Sequence, residues 1–198
     1  LGTLAKTPEF GGQFDDGSSA EKKLDTTLYS ELIATYCIAY RILKSKDLER
    51  DDFMFVKDAL MGDEIPWFYN DCVSDMGDKE CYFTHRFYNE EVGQTPGYQV
   101  VSKLIEKLKC KKLIRVKGNL YMSTIKSKKH AYHKDMDNKH KGCLLYINTN
   151  NGYNYFKEER KKIKPKENRA VFFNPSIEHC SSTCTDEKRR ITINVNYL

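Results

Sequence analysis

Two periodicities divide the chain. Up to about residue 110, apolar residues recur at helical spacing; from residue 113 they alternate. Residues 25–45 read as a helix, with Asp25-Thr26-Thr27 as its cap and Leu28, Leu32, Ala39 and Leu43 in its apolar set. Residues 51–61 form a short segment of undetermined type. Ile65-Pro66-Trp67-Phe68-Tyr69 reads as extended, because a proline biases the residue before it away from helix. A second helix is predicted over 96–110, where Tyr98, Val101, Leu104, Ile105 and Leu108 recur at spacings of three and four. Leu113 to Met122 then places Ile114, Val116, Gly118 and Leu120 on one face and Arg115, Lys117, Asn119 and Tyr121 on the other. Further strands are predicted at 143–149, 153–156, 169–174 and 189–198, separated by turn signals at Asn150-Asn151-Gly152 and Asn174-Pro175. Helices followed by short strands predict a mainly β chain, with helices packed on an antiparallel barrel or double sheet.

The expected organisation is a polar arm over 1–24 and one domain over 25–198. Within it, 25–110 is read as a helical support region and 111–198 as the β core. Residues 7–20 have loop composition, and residue 1 is Leu, so a fragment or processed product is expected.

Composition narrows the class. The chain has 198 residues, 39% hydrophobic and 31% charged, and no run approaches the roughly 18 apolar residues of a spanning helix. Aromatics at 12% exclude a disordered chain. The net charge of +5 conceals an asymmetry. Residues 1–100 carry ten Lys/Arg against nineteen Asp/Glu; residues 101–170 carry twenty against six. That basic band either is a solvated face or attracts an anionic partner such as nucleic acid. Seven cysteines, an odd count without a CxxC pair, and an N-terminus lacking an apolar leader core predict reduced thiols in a cytoplasmic setting. Cys180-x-x-x-Cys184 beside His179 raises zinc, but no second pair at zinc-finger spacing supports it.

The chemistry-bearing pattern lies in the second half. In His133-Lys134-Asp135, the residues at i and i+2 of an extended segment face the same way, so both reach one metal. His179, from a later strand, completes two histidines and one carboxylate. That facial set suits Fe(II) and leaves coordination positions open. In the last strand, Arg190, Thr192, Asn194 and Asn196 share one face and Ile191, Ile193 and Val195 the other. An arginine on such a polar wall grips a carboxylate with its planar fork. Arg189 is the competitor and faces the apolar side.

These residues resemble the 2-oxoglutarate and Fe(II)-dependent oxygenases, the group that includes prolyl 4-hydroxylases. The matching positions are His133-x-Asp135, His179 and Arg190-x-Thr192, supported by Asn119-Leu120-Tyr121 and Tyr146-Ile147-Asn148. Ile65-Pro66-Trp67-Phe68-Tyr69, the Arg115–Tyr121 strand, Asn148 to Tyr153 and the Lys188–Tyr197 ending look like small oxygenases encoded by marine bacteriophages. The likeness covers about residues 60–198.

The resemblance implies a double-stranded β-helix (a distorted jelly roll) backed by N-terminal helices. It implies Fe(II) on His133, Asp135 and His179, and 2-oxoglutarate on Arg190, with Thr192, Tyr121 and Tyr146 lining its pocket. Cys180 and Cys184 are expected to stay reduced and off the metal. His130 and His140 are expected to be solvent-exposed bystanders, and His85 a packed or surface histidine. The implied activity consumes 2-oxoglutarate and dioxygen, releases succinate and CO2, and hydroxylates a substrate, foremost a protein or peptide side chain. Nucleic acid through the basic 101–170 region is the second substrate class. The implied setting is the cytoplasm, of a host cell if phage-encoded. The alternative is a non-enzymatic structural protein, associated with a virus particle, that retains the jelly-roll module.

Overall fold

The computed structural model describes residues 48–74 and 80–198. The expected arm over 1–24 and helix over 25–45 lie outside the described residues. Helix α1 (Arg50–Met61) buries Phe53, Val56, Ala59 and Leu60 along one stripe. Asp51 and Asp52 occupy its first turn, where the helix dipole favours negative charge. The segment of undetermined type at 51–61 is therefore helical. A 3-10 turn (Tyr98–Val101) leads into α2 (Ser102–Leu108), within the helix predicted over 96–110.

Among the described residues ten strands follow in chain order: β1 (Phe68–Asn70), β2 (Tyr82–Asn89), β3 (Gly93–Gln94), β4 (Leu113–Met122), β5 (Lys141–Tyr146), β6 (Asn154–Phe156), β7 (Lys161–Ile163), β8 (Arg169–Phe173), β9 (His179–Ser181) and β10 (Arg189–Tyr197). The main sheet runs β1-β2-β4-β10-β5-β8, with β3 paired to β2; the small sheet runs β7-β6-β9. Their pairings are antiparallel. This is the double-stranded β-helix, with helices packed on one side.

One boundary needs correction. The stretch read as helical support, 25–110, contains β1, β2 and β3, and β2 pairs with β4 along its length. The main sheet therefore starts at Phe68, not at residue 111. Tyr82–Asn89 carries Thr84, His85 and Arg86 among its aromatics, and these polar residues, half-buried, buried and exposed in turn, mask its alternation.

The main sheet buries both faces differently. Its outer face packs Val116, Leu120, Ile191, Ile193 and Val195 against α1 and α2 through Val56, Leu60 and Leu104. Each such aliphatic side chain contributes about 1.5–3 kcal/mol by leaving water. Its inner face packs Leu144, Tyr146, Val171 and Phe173 against Phe156 and Ile163 of the small sheet in a smaller apolar cluster. The rest of that inner face is polar.

Candidate metal centre

The inner face is set by strand register. Arg190 stands opposite Tyr121, Thr192 opposite Asn119 and Tyr146, and Asn194 opposite Lys117 and Leu144. Alternation in β4 and β10 thus turns Lys117, Asn119, Tyr121, Arg190, Thr192 and Asn194 toward one interior.

Across that interior, segment 129–135 runs beside β9. Lys129 pairs with Ser182 and His133 with His179. His130 N–H donates to Ser181 O at 2.9 Å, and His133 N–H to His179 O at 2.9 Å. Two residues, Ala131 and Tyr132, therefore stand against the single Cys180. The extra residue is a bulge. It turns both His130 and His133 inward, although three positions separate them.

His133, Asp135 and His179 converge: one ligand atom from each lies within 4.8 Å of the others. Asp135 Oδ1 is 3.9 Å from Nε2 of each histidine. His179 Nδ1 lies 2.9 Å from Ile177 O and His133 Nδ1 3.5 Å from Ala131 O. Carbonyls accept only, so each Nδ1 carries the proton and each Nε2 lone pair faces the centre. His179 also packs against Phe173, at 5.1 Å between ring centroids, which fixes its ring.

Asp135 is held by neighbours that the sequence reading had placed only on a polar wall. Asn194 and Asn196 each donate to its Oδ2 at 2.9 Å, and Arg115 Nη2 lies 3.4 Å from its Oδ1. Burial alone would raise its pKa; Arg115, His179, Asn196 and Asn194 outweigh that and bring it to about 2. His133 is lowered, by burial first and by the neighbouring His179 second. A carboxylate and two imidazole nitrogens converging at one point are the donor set of a divalent metal site.

His130 and His140 are corrected. They are 2% and 6% exposed, not solvent-facing. The bulge carries His130 inward, where its Nδ1 lies 2.7 Å from Ser181 Oγ and its ring stacks on Tyr121. His140 Nε2 accepts from Asn196 Nδ2 at 3.1 Å, so it backs the residue that holds Asp135. His85 is packed, with both ring nitrogens at carbonyls of Pro66 and Pro96.

Arg190 is fully buried. Its guanidinium donates to Ser182 O at 3.2 Å and to Asn154 Oδ1, and lies 5.1 Å from the Tyr121 ring and 6.0 Å from that of Tyr146. Tyr146 donates its hydroxyl to Asn154 Oδ1 at 3.0 Å. No carboxylate among the described residues pairs with Arg190, and its Nε–H has no hydrogen-bond partner. Asn119 Oδ1 and Asn194 Oδ1 are buried without partners in the same interior. Asn119 and Asn194 line the metal pocket and Arg190 lies behind Tyr121 and Asn154, and buried polar atoms left open in this way mark where ligand atoms would complete them. An unpaired buried guanidinium fits a dicarboxylate such as 2-oxoglutarate, and the His-Asp-His set fits Fe(II). Thr192 Oγ accepts from Asn119 Nδ2 at 3.4 Å, beside these groups. Gly152 lies against Arg190: a Cβ there would meet Arg190 Cδ at 2.9 Å and Thr183 O at 3.1 Å. Arg189 donates instead to Met61 O, on the helix side of the sheet.

Cys180 and Cys184 are buried free thiols, and burial pushes both pKa values up. The ligand cluster among the described residues contains no cysteine. Part of the basic band is internally paired: Lys157 with Glu178, Lys128 with Glu80, and Lys112 with Glu90. No helix among the described residues is long and apolar enough to cross a membrane.

No protein-family model matches the chain, and no curated protein matches it. Solved structures share its fold. An oxidoreductase of the 2OG-Fe(II) oxygenase family from Burkholderia pseudomallei superposes with a TM-score of 0.50 at 9% identity, over 67% of this chain and 73% of that one. EvdMO1 gives 0.50 at 12% identity, over 76% of this chain but 45% of that one. A Pseudomonas putida prolyl-4-hydroxylase gives 0.49 at 10% identity, over 78% of this chain and 90% of that one. At these identities the likeness is one of fold.

Proposed function

We propose that this protein is a 2-oxoglutarate- and Fe(II)-dependent dioxygenase that hydroxylates a substrate, foremost a protein or peptide side chain. One observation carries the proposal. The His133-Asp135-His179 cluster and an unpaired buried Arg190 occupy the same interior face of a double-stranded β-helix. When bound, Fe(II) and 2-oxoglutarate would supply dioxygen activation coupled to decarboxylation to succinate and CO2. The protein's own residues supply geometry. His133 and His179 present Nε2, Asn194 and Asn196 hold Asp135 ionised and oriented, and Arg190 takes the distal carboxylate, with Thr192 beside it. Tyr121 and Tyr146 wall the guanidinium and exclude water from it.

Anaerobic Fe(II) and 2-oxoglutarate titration, followed by succinate measurement after admitting air, tests the proposal. The expected result is stoichiometric metal binding and slow uncoupled succinate formation. Metal-independent behaviour, with no 2-oxoglutarate binding, would instead favour the structural-protein alternative.

A further inference from the structure

The metal pocket holds more positive charge than the proposed cofactors need. Asp135 is its single lining carboxylate among the described residues, and Lys117 lines the same pocket. Arg115 sits against Asp135, and Arg190 lies behind Tyr121 and Asn154. Arg115 is answered by Asp135, and Arg190 by the distal carboxylate of the cosubstrate. Lys117 is left over.

Lys117 is placed for a ligand. It stands opposite Asn194, the residue that donates to Asp135, so its strand position is beside the metal cluster. Arg190 is four residues earlier in β10, roughly 14 Å away at about 3.4 Å per residue. Among the described residues no carboxylate reaches the Lys117 amine; its polar contact is the Tyr82 hydroxyl, 3.2 Å from Nζ. Burial, with Arg115 next, lowers its pKa to about 8, so the amine is still mostly protonated at neutral pH. Lys117 is half-buried, and a partly desolvated cation with no carboxylate in contact gains from a ligand that supplies one. Tyr82 accepts from the ammonium, so its own hydroxyl hydrogen remains free to donate. One ammonium and one phenol offer two convergent donors, which match the two oxygens of a carboxylate.

We infer that Lys117 and Tyr82 form the receptor for a carboxylate of the primary substrate, placing an acidic substrate next to the metal cluster. The inference rests on the oxygenase reading, and the cosubstrate is assigned to Arg190. The carboxylate comes either from a free small acid or from an acidic side chain of a peptide.

Calorimetry on the full chain, loaded with Mn(II) and saturated with 2-oxoglutarate under anaerobic conditions, tests it. The probes are matched pairs: hexanoate against hexanamide, and a capped Ala-Glu-Ala peptide against capped Ala-Gln-Ala. The acid should bind about tenfold or more tightly than its amide in at least one pair, the size of one charge-assisted hydrogen bond. The pair that discriminates identifies the source. The preference should vanish in Lys117→Met, persist in Lys117→Arg, and weaken in Tyr82→Phe, a variant that removes only a hydroxyl. An acid preference retained in Lys117→Met, or equal binding of acid and amide in both pairs, would overturn the inference. So would loss of 2-oxoglutarate affinity in Lys117→Met with affinity kept in Arg190→Met, because the amine would then belong to the cosubstrate. A wild-type chain that binds no 2-oxoglutarate defeats the oxygenase reading separately. The acid–amide comparison on the Mn(II)-loaded protein then still decides the Lys117 receptor.

Discussion

Strand β10 is buried on both sides, and the sides differ in kind. Ile191, Ile193 and Val195 face the helices at zero exposure; Arg190, Thr192, Asn194 and Asn196 face the pocket with no more than 7%. Equal burial does not mean equal contribution. The aliphatic face gains by leaving water, whereas a buried polar face costs stability unless each group is hydrogen-bonded. Asn196 is bonded to Asp135, Arg115 and His140, yet Arg190 Nε and Asn194 Oδ1 are left open. One face therefore holds the sheet on the helices, and the other spends stability on groups aimed at a ligand.

The contrast can be broken most sharply at Asp135. Asp135→Ala should abolish Fe(II) or Mn(II) binding by titration while the circular dichroism spectrum stays that of the folded chain. Loss of fold with loss of metal would move Asp135 to the structural side. Next in size is Arg190→Ala, which should weaken 2-oxoglutarate binding by about 2–5 kcal/mol, the cost of deleting one partner of a buried charge pair. Arg190→Lys should lose less, since it keeps the charge but not the fork. Affinity lost in Arg189→Ala but not in Arg190→Ala would reverse the faces of β10.

On the opposite face, Ile193→Ala should cost about 2–5 kcal/mol of unfolding free energy in urea, as buried aliphatic truncations do. The metal affinity of the folded fraction should not change. Asn196→Ala should lower metal affinity by about 10–100-fold, the usual effect of removing a group that orients a ligand. Asp135 also makes a pH signature in the metal-free protein. Its folded pKa of about 2 lies below the ordinary 3.8. Its contribution to stability is thus complete above the ordinary value and lost as pH falls through about 2. Urea unfolding of wild type against Asp135→Asn should converge over that window, and a constant gap would contradict the burial and pairing of this carboxylate.

The alternation of β4 and β10 was legible in the sequence because a strand buried on both sides by different partners still obeys a period of two. An antiparallel barrel or double sheet followed from it, and the jelly-roll class from the resemblance to the oxygenases. His133 and Asp135 were legible as a pair by spacing, and His179 as a later residue of matching chemistry. What was not legible depends on contacts between distant segments. The bulge at Ala131-Tyr132 exists only against Cys180, and without it His130 reads as a surface residue. The burial of His140 depends on Asn196, 56 positions away. β2 was missed because Thr84, His85 and Arg86 hide its apolar rhythm, and only its pairing with β4 shows what they face. The Lys117–Tyr82 contact also joins segments read as separate regions. The lysine on the inner face of β4 was visible, but not that it lacks an anion.

The pairing of His133 with His179 is an isolated rung. Each residue's N–H donates to the other's carbonyl, at 2.9 and 3.0 Å, with no continuous ladder on either side. Such a rung opens as a local fluctuation, without unfolding the sheets. The backbone bond between the two histidines holds their imidazoles beside each other, 4.6 Å between ring centroids, so opening this one rung would loosen two of the three side chains of the cluster together.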